Sequence, residues 1–320
     1  MSGLTSTPAR AGCGRRRGEA FALCDRVTVL RDGRQVAFDA DLAALDRDRL
    51  VTLMIGRAEE SADLPAKSVD DTRPRLEARS LSTANGTREA SFALYTGEVL
   101  GLYGLVGAGR SELARAIVGD DRVTGGELLV DGVPARIRDG REALERFGIG
   151  YVSENRQTEG LILSHSVQTN VAITVWQRLK NALGWISNSK EREEVGPFVA
   201  RLEVRTPSLD QVVGNLSGGN QQKVSLAKWL AAKTRILIVD EPTVGIDVKT
   251  KHELHGLIWE LAGQGLAILL ISSDMPEMIH LADRILVMKD RRIVGEVANS
   301  HRYDETSEAI MRLIHTELPD

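Results

Sequence analysis

One stretch constrains this chain more than any other. EVLGLYGLVGAGRSELARAIVG, residues 98–119, passes from an apolar run through a glycine-rich turn into a helical pattern. A strand-length run, a turn freed by several glycines and a helix directly after it point to an α/β sheet that holds a ligand at a strand's carboxyl end. In such a turn several backbone N–H groups face one concavity, and the helix N-terminus adds partial positive charge, so the turn suits phosphate. The spacing follows G-x-x-x-x-G-K-[ST] at Gly104, Gly109 and Ser111, with Arg110 where the template has lysine. Taken alone, a turn with that substitution also fits a plain structural bend.

A second run changes the balance. ILIVDEPT, residues 236–243, places Asp240 and Glu241 at the exit of an apolar strand, where charges are normally avoided, so something positive must balance them. Asp240 is expected to hold magnesium through water, with the Ser111 hydroxyl on the same ion. Glu241 is expected to orient and deprotonate an attacking water in phosphoryl transfer. Between the two runs lies LSGGNQQKVSLAKWLA, residues 216–231. Ser217 can cap the helix that follows, and Gly218 and Gly219 leave its first N–H groups bare for an anion.

Further apolar runs at 147–153, 267–273 and 284–290 alternate with helical segments, which predicts a mostly parallel sheet. The chain also echoes itself. LCDRVTVLRDGRQV at 23–36 and LADRILVMKDRRIV at 281–294 align with Asp25 and Asp283, 258 positions apart, in register. Each echo is followed by a polar stretch and an amphipathic helical segment, at 48–57 and 307–318. That interval is a domain length. The reading is an aberrant or disordered N-terminus at 1–19, the C-terminal part of a first domain at 20–58, an acidic, proline-containing linker at 59–75, and a whole second domain at 76–320.

Composition narrows the function classes. A net charge of −4 argues against a partner held by its phosphate backbone, and no nucleic acid is expected. Two cysteines, Cys13 and Cys24, are too few for a disulfide framework and fit a reducing, cytoplasmic setting. The apolar runs at 235–239 and 266–271 are far shorter than the roughly 20 residues a membrane helix needs.

With these elements in place, the chain resembles the ATP-binding subunit of an ABC transporter. GLVGAGRS resembles the Walker A loop, LSGGNQQK the signature motif, ILIVDEP the Walker B strand and VGID (244–247) the D-loop. YVSENR followed by EGLIL adds similarity to the second nucleotide-binding domain of the double-length ATPases that serve bacterial importers of ribose, galactose or xylose type. The resemblance covers about 75–320, and residues 20–58 fit the end of the preceding domain. It implies a P-loop α/β fold with a mostly parallel core sheet, a small antiparallel β subdomain and a helical subdomain. It also implies ATP and Mg2+ as cofactors. Gly104, Leu105, Val106, Gly107, Ala108, Gly109, Arg110, Ser111 and Glu112 would contact nucleotide, Ser111 and Asp240 would hold the metal, and Glu241 would be the base.

Three departures bear on activity. Arg110 replaces the family's lysine, Glu154 its glutamine after YVS, and Asp274 its histidine after the ISS strand, and all three are expected at the γ-phosphate. Arg110 keeps the charge as a broad fork where a point charge is wanted. Glu154 and Asp274 bring negative charge toward an anion, and one lost donor costs about 10²–10³ in rate. The site is therefore expected to bind nucleotide and hydrolyse it poorly. Because such domains pair head to tail, Ser217, Gly218, Gly219 and Gln221 would act in trans on ATP held by a complementary nucleotide-binding domain. The first domain's own motifs are absent from the chain, which reads as a gene fragment or a shifted frame near residues 1–19.

The resemblance implies transmembrane permease subunits as partners, a periplasmic sugar-binding protein as an indirect one, and a peripheral place on the cytoplasmic face of the membrane. Residues 158–200, apolar-rich with Trp176 and Trp185, read as a helical layer and, in the family, as the permease-facing region. His165, His252, His255 and His280 lack metal-ligand company and read as structural. Phe92 alternates like a core residue, so no adenine-stacking ring stands in 81–94. Two other readings compete with the importer subunit. One is a non-hydrolysing nucleotide-binding remnant. The other is a soluble, non-transport ABC ATPase, against which the acidic charge and the NQQK ending argue.

Overall fold

Alternating apolar runs and helical segments build the molecule described by a computed structural model, which covers residues 25–31, 34–41 and 64–316. These residues fall in two units divided after Asp63. The first contains an antiparallel hairpin, β1 (Arg26–Arg31) and β2 (Arg34–Asp41). The expected helical segment at 48–57, the N-terminus at 1–19 and both cysteines lie outside the described residues.

The second unit opens with β3 (Leu76–Thr83), β4 (Ala90–Leu94) and β5 (Val99–Gly104), then α1 (Arg110–Ile117), β6 (Val123–Val130) and β7 (Val133–Pro134). There follow α2 (Gly140–Phe147), β8 (Ile149–Val152), α3 (Val167–Ala172), α4 (Trp176–Leu179), α5 (Asn188–Arg201) and α6 (Gly218–Ala231). Then come β9 (Ile236–Asp240), α7 (Val248–Gly263), β10 (Ala267–Ser272), α8 (Met275–Leu281), β11 (Arg284–Lys289), β12 (Arg292–Ala298) and α9 (Tyr303–His315). A six-stranded sheet takes the order β12-β11-β5-β10-β9-β8, parallel except for the β11–β12 hairpin. A four-stranded antiparallel sheet takes the order β4-β3-β6-β7.

Every residue of β5, β9 and β10 is buried, because both faces of a parallel sheet are covered by the layers its crossovers lay down. On one face a continuous core joins Leu237, Val239 and Leu270 to Val167, Val195 and Val224 of the helical layer. On the other, Ile236, Ile238 and Leu269 meet Leu113 and Ile117 of α1 and residues of the antiparallel sheet, Phe92 among them. The fold class is as the resemblance implied. The ends of β5, β9 and β10 therefore open on one side, where the glycine turn, the Asp240–Glu241 pair and the Ser272–Asp274 turn emerge.

The repeat survives in the pairing. Val29↔Ala37, Leu30↔Gln35 and Arg31↔Arg34 of the first hairpin correspond, at the same offset, to Val287↔Gly295, Met288↔Ile293 and Lys289↔Arg292 of the second. Both hairpins also carry an irregularity between the first two of these pairs. In the second, Asp290 and Arg291 turn the chain with φ of 47° and 63°, the left-handed pair that a two-residue hairpin loop requires.

The stretch read as a linker divides at Asp63. From Leu64 it is held on the second unit, where the Trp259 Nε1–H donates to Pro65 O at 2.7 Å. The Lys67 ammonium donates to Gly97 O at 2.8 Å, pairs with Asp283 and lies over the Trp259 ring. A polar, non-periodic segment is anchored here by a few specific bonds, which pattern alone does not display.

Candidate functional site

Strand β5 runs between β10 and β11 and delivers the chain into the glycine turn at Gly104. A Cβ at Gly104 would stand 2.5 Å from Met288 O and 2.9 Å from Ala108 Cβ, so strand packing requires glycine there. Gly109, at φ 97°, is the N-cap of α1 and brings no side chain to cap it. The first N–H groups of α1 thus lack a side-chain partner and face a cavity of about 220 Å³, lined by Gly107 to Glu112 and Arg115. At Gly107 a Cβ would meet nothing within 4 Å, so the turn is a cradle open to a ligand.

Asp240 ends β9 fully buried. Its Oδ2 accepts from the Tyr151 hydroxyl at 2.9 Å, while Oδ1 has no hydrogen-bond partner. Burial pushes the carboxyl up from the ordinary aspartate range, the nearby Glu154 charge adds to this, and the Ser111 and Tyr151 hydroxyls oppose it. An orphaned buried carboxylate oxygen beside a serine hydroxyl is a hard-oxygen donor pair, and it fits Mg2+. The expected metal residues, Ser111 and Asp240, do meet.

Glu241 follows with φ 47°, a left-handed conformation uncommon for a residue with a Cβ. Its N–H donates to Ile271 O at 2.9 Å. Its carboxylate pairs with Arg110, Nη1 to Oε1 at 3.2 Å, with both side chains about nine-tenths buried. Burial raises the Glu241 carboxyl, and Ser273 and Arg110 partly restrain the rise. Arg110 thus lines the cradle and at the same time meets the expected base.

The turn after β10 is arranged differently from expectation. Asp274 caps α8, accepting from the Glu277 N–H at 3.1 Å, and takes a bond from Lys251 Nζ at 2.6 Å. Those two bonds turn its carboxylate toward helices α8 and α7. The residue of this turn that lies against Glu241 is Ser273, through its hydroxyl and its backbone N–H. Ser273 was missed because nothing in the run AILLISS ranks one serine over its neighbour. Glu154 stands exposed in the turn after β8, close enough to influence Asp240.

At the other glycine motif, the Ser217 hydroxyl caps α6 by accepting from the Asn220 N–H. A Cβ at Gly218 would come 2.6 Å from Arg156 Nη2, and one at Gly219 would overlap the Thr250 side chain. Arg156 also donates to Val244 O at 3.1 Å, joining the turn after β8 to the VGID segment. Gln221 does not present a donor outward. It is buried, and its Nε2 donates to Val213 O and Leu216 O at 3.3 and 3.2 Å, pinning the loop before the helix. None of Ser217, Gly218, Gly219 and Gln221 lines the cavity over Gly107 to Glu112. The structure therefore assembles the first motif with Asp240 and Glu241 and holds the second apart from it. His255 is buried against Glu277, and among the described residues no group of three or more His, Cys, Asp or Glu is placed to hold a metal.

Comparison with known proteins agrees with this geometry. The family model described as ABC transporter matches residues 87–244. The ribose import ATP-binding protein RbsA of Clostridium tetani is 42% identical over 294 residues, which are 92% of this chain and 57% of that protein. The arabinose import ATP-binding protein AraG 1 of Burkholderia thailandensis is 44% identical over 302 residues, 93% of this chain and 58% of that one. The chain thus spans a little over half the length of these relatives. A crystal structure of a nucleotide-free ATP-binding cassette from an ABC transporter superposes with a TM-score of 0.66 at 19% identity, covering 76% of this chain and all of that one. A dimeric post-hydrolysis cassette bound to ADP and Pi gives a TM-score of 0.61 at 22% identity, covering 70% and 98%. At those identities the likeness is one of fold.

Proposed function

This chain carries an ABC transporter ATP-binding domain, and from that premise we propose that it is an energy-coupling subunit of a bacterial carbohydrate importer. It would bind MgATP at Gly104–Glu112 and act at the cytoplasmic face of the membrane against transmembrane permease subunits, which receive sugar from a periplasmic binding protein. Exposed Leu183 and Trp185, on the segment between α4 and α5, offer an apolar edge for a permease contact.

The observation that carries the reading is the cluster at the strand exits, where an uncapped helix start, Ser111, the orphaned Asp240 Oδ1 and Glu241 converge. The amides of the turn and of α1 would hold the phosphates. Ser111 and Asp240 would hold Mg2+, which supplies charge neutralisation on the phosphate oxygens. In hydrolysis, water attacks the γ-phosphorus, its proton passes to Glu241, the bond from the γ-phosphorus to the bridging oxygen breaks, and ADP departs.

The Arg110–Glu241 pair favours a restrained version of this chemistry. A carboxylate already engaged by a buried guanidinium is less free to orient water and take its proton, so this site would retain nucleotide and turn it over slowly. Ser217, Gly218 and Gly219 would then serve ATP bound on a complementary nucleotide-binding domain. The same pair supports the second reading, a nucleotide-binding module without turnover.

Calorimetry with MgATP, followed by sedimentation with a complementary nucleotide-binding domain, tests the assignment. Binding together with ATP-dependent association supports the coupling subunit. Binding without association supports the second reading, and no heat with adenine nucleotide removes both.

A further inference from the structure

Behind the cluster stands a buried carboxylate that the chemistry above does not use. Glu277, in the first turn of α8, is 1% exposed and takes bonds from three directions. Its Oε1 accepts from Thr243 Oγ1 at 2.8 Å and from His255 Nε2 at 2.7 Å, and its Oε2 accepts from Ser272 Oγ at 2.6 Å. Thr243 lies two residues after Glu241, and Ser272 directly precedes Ser273, so the two tethered residues flank the two that touch. Ser272 Oγ further accepts from the Asp274 N–H at 3.0 Å, closing the turn.

The arrangement answers a question that Glu241 raises. A left-handed residue with a Cβ is strained and persists only where its surroundings over-determine it. On one side the Glu241 N–H is fixed to Ile271 O. On the other, Pro242 limits the backbone and Thr243 is tied to Glu277. We propose that Glu277 is a positioning residue for this site: by gathering Thr243, Ser272 and His255 on one carboxylate, it holds the exits of β9 and β10 so that Glu241 meets Ser273.

An ionised carboxylate only accepts, so it takes all three bonds at once, with the Thr243 and Ser272 hydroxyls and the His255 ring donating. Glu277→Gln changes almost no volume, but it removes the charge that strengthens all three bonds and makes the partner on the amide-nitrogen side give up its donating role. Burial pushes the Glu277 carboxyl up, but the His255 bond and the nearby Lys251 charge outweigh this, so it stays below the ordinary range.

The test has two arms, of which only the kinetic one rests on the nucleotide-hydrolase reading. In the first, amide exchange is followed by mass spectrometry in the full chain for segments 241–247 and 271–276. Glu277→Gln is expected to speed exchange about tenfold or more in both and to leave α1 unaffected. Thr243→Val and Ser272→Ala, which delete one hydroxyl each, speed chiefly their own segment and carry the test if Glu277→Gln does not fold. In the second arm, single-turnover hydrolysis of labelled ATP is expected to fall roughly tenfold to a hundredfold in Glu277→Gln, with the MgATP Kd within about twofold of wild type.

Unchanged exchange in both segments across the three variants overturns the proposal, and so does a Kd that rises as much as the rate falls. If the wild-type chain neither binds nor hydrolyses ATP, the functional reading fails by itself, and the exchange arm still decides the role of Glu277.

Discussion

The molecule begins two helices with glycines and a serine, and uses them in opposite ways. Helix α1 starts at left-handed Gly109 without a side-chain cap, and Arg110, Ser111, Asp240 and Glu241 gather around its bare end. Helix α6 starts at extended Ser217, whose hydroxyl is already committed to the helix, and Gly219 packs against Thr250 of α7. Similar letters thus yield a charged, uncapped cradle in one place and a capped, tightly packed start in the other. The difference lies in what the rest of the fold brings up to each helix end.

Breaking the cradle should produce the largest effect. Gly109→Val forces a β-branched residue into a φ of 97°, with Arg291 Cγ 3.0 Å from the new Cβ, and is expected to weaken MgATP binding roughly a hundredfold, read by calorimetry. The corresponding change at the other start, Gly218→Val, meets the Arg156 guanidinium and is expected to abolish ATP-dependent association with a complementary domain, read by sedimentation.

Next comes the pair that sets the cradle's chemistry. Arg110→Met leaves Glu241 buried without its cation and is expected to cost about 3 kcal/mol in urea unfolding. Arg110→Lys keeps the charge but releases the fork, and single-turnover hydrolysis is expected to rise about tenfold. A fall instead would show that the arginine supports turnover and does not restrain it.

At the packed helix, Gly219→Ala drives a methyl into Thr250 and should destabilise by roughly 1–3 kcal/mol, measured by the shift in urea midpoint. A neutral result would erase the contrast between the two starts.

The smallest effect concerns acid. Burial, helped by the neighbouring His255 and His252, holds the His280 imidazole down to about 4, against an ordinary 6.5. A depressed folded-state value means that the stability is present above pH 6.5 and is lost as pH falls toward 4. His280→Gln should flatten unfolding free energy across that window, with amide exchange along α8 accelerating less in acid than in the wild type.

Much of the architecture was legible in advance because it rests on local pattern. The strand runs, the glycine turn and the Ser217 cap are set by near-neighbour sterics and by period. Even the hairpin echo carried its register, since alternation and a two-residue turn leave little choice. The site was legible as a list of residues and less so as an arrangement. Asp274 was read into the cradle and instead caps α8, while Gln221 was read as an outward donor and instead pins its own loop. Both residues sit where a strand or loop gives way to a helix, and there the side chain's direction depends on bonds offered by other elements.

By itself, then, the amino-acid order determined which segments are strands and helices, that a bare-amide turn follows β5, and that two carboxylates leave the sheet at Asp240 and Glu241. Only the tertiary structure decided that Arg110 neutralises Glu241, that Ser273 is the residue beside it, and that Glu277 ties both exits together. The reason is range. Propensity and periodicity act over a few residues, whereas Arg110 and Glu241, or Thr243 and Glu277, are joined by the stacking order of the sheet.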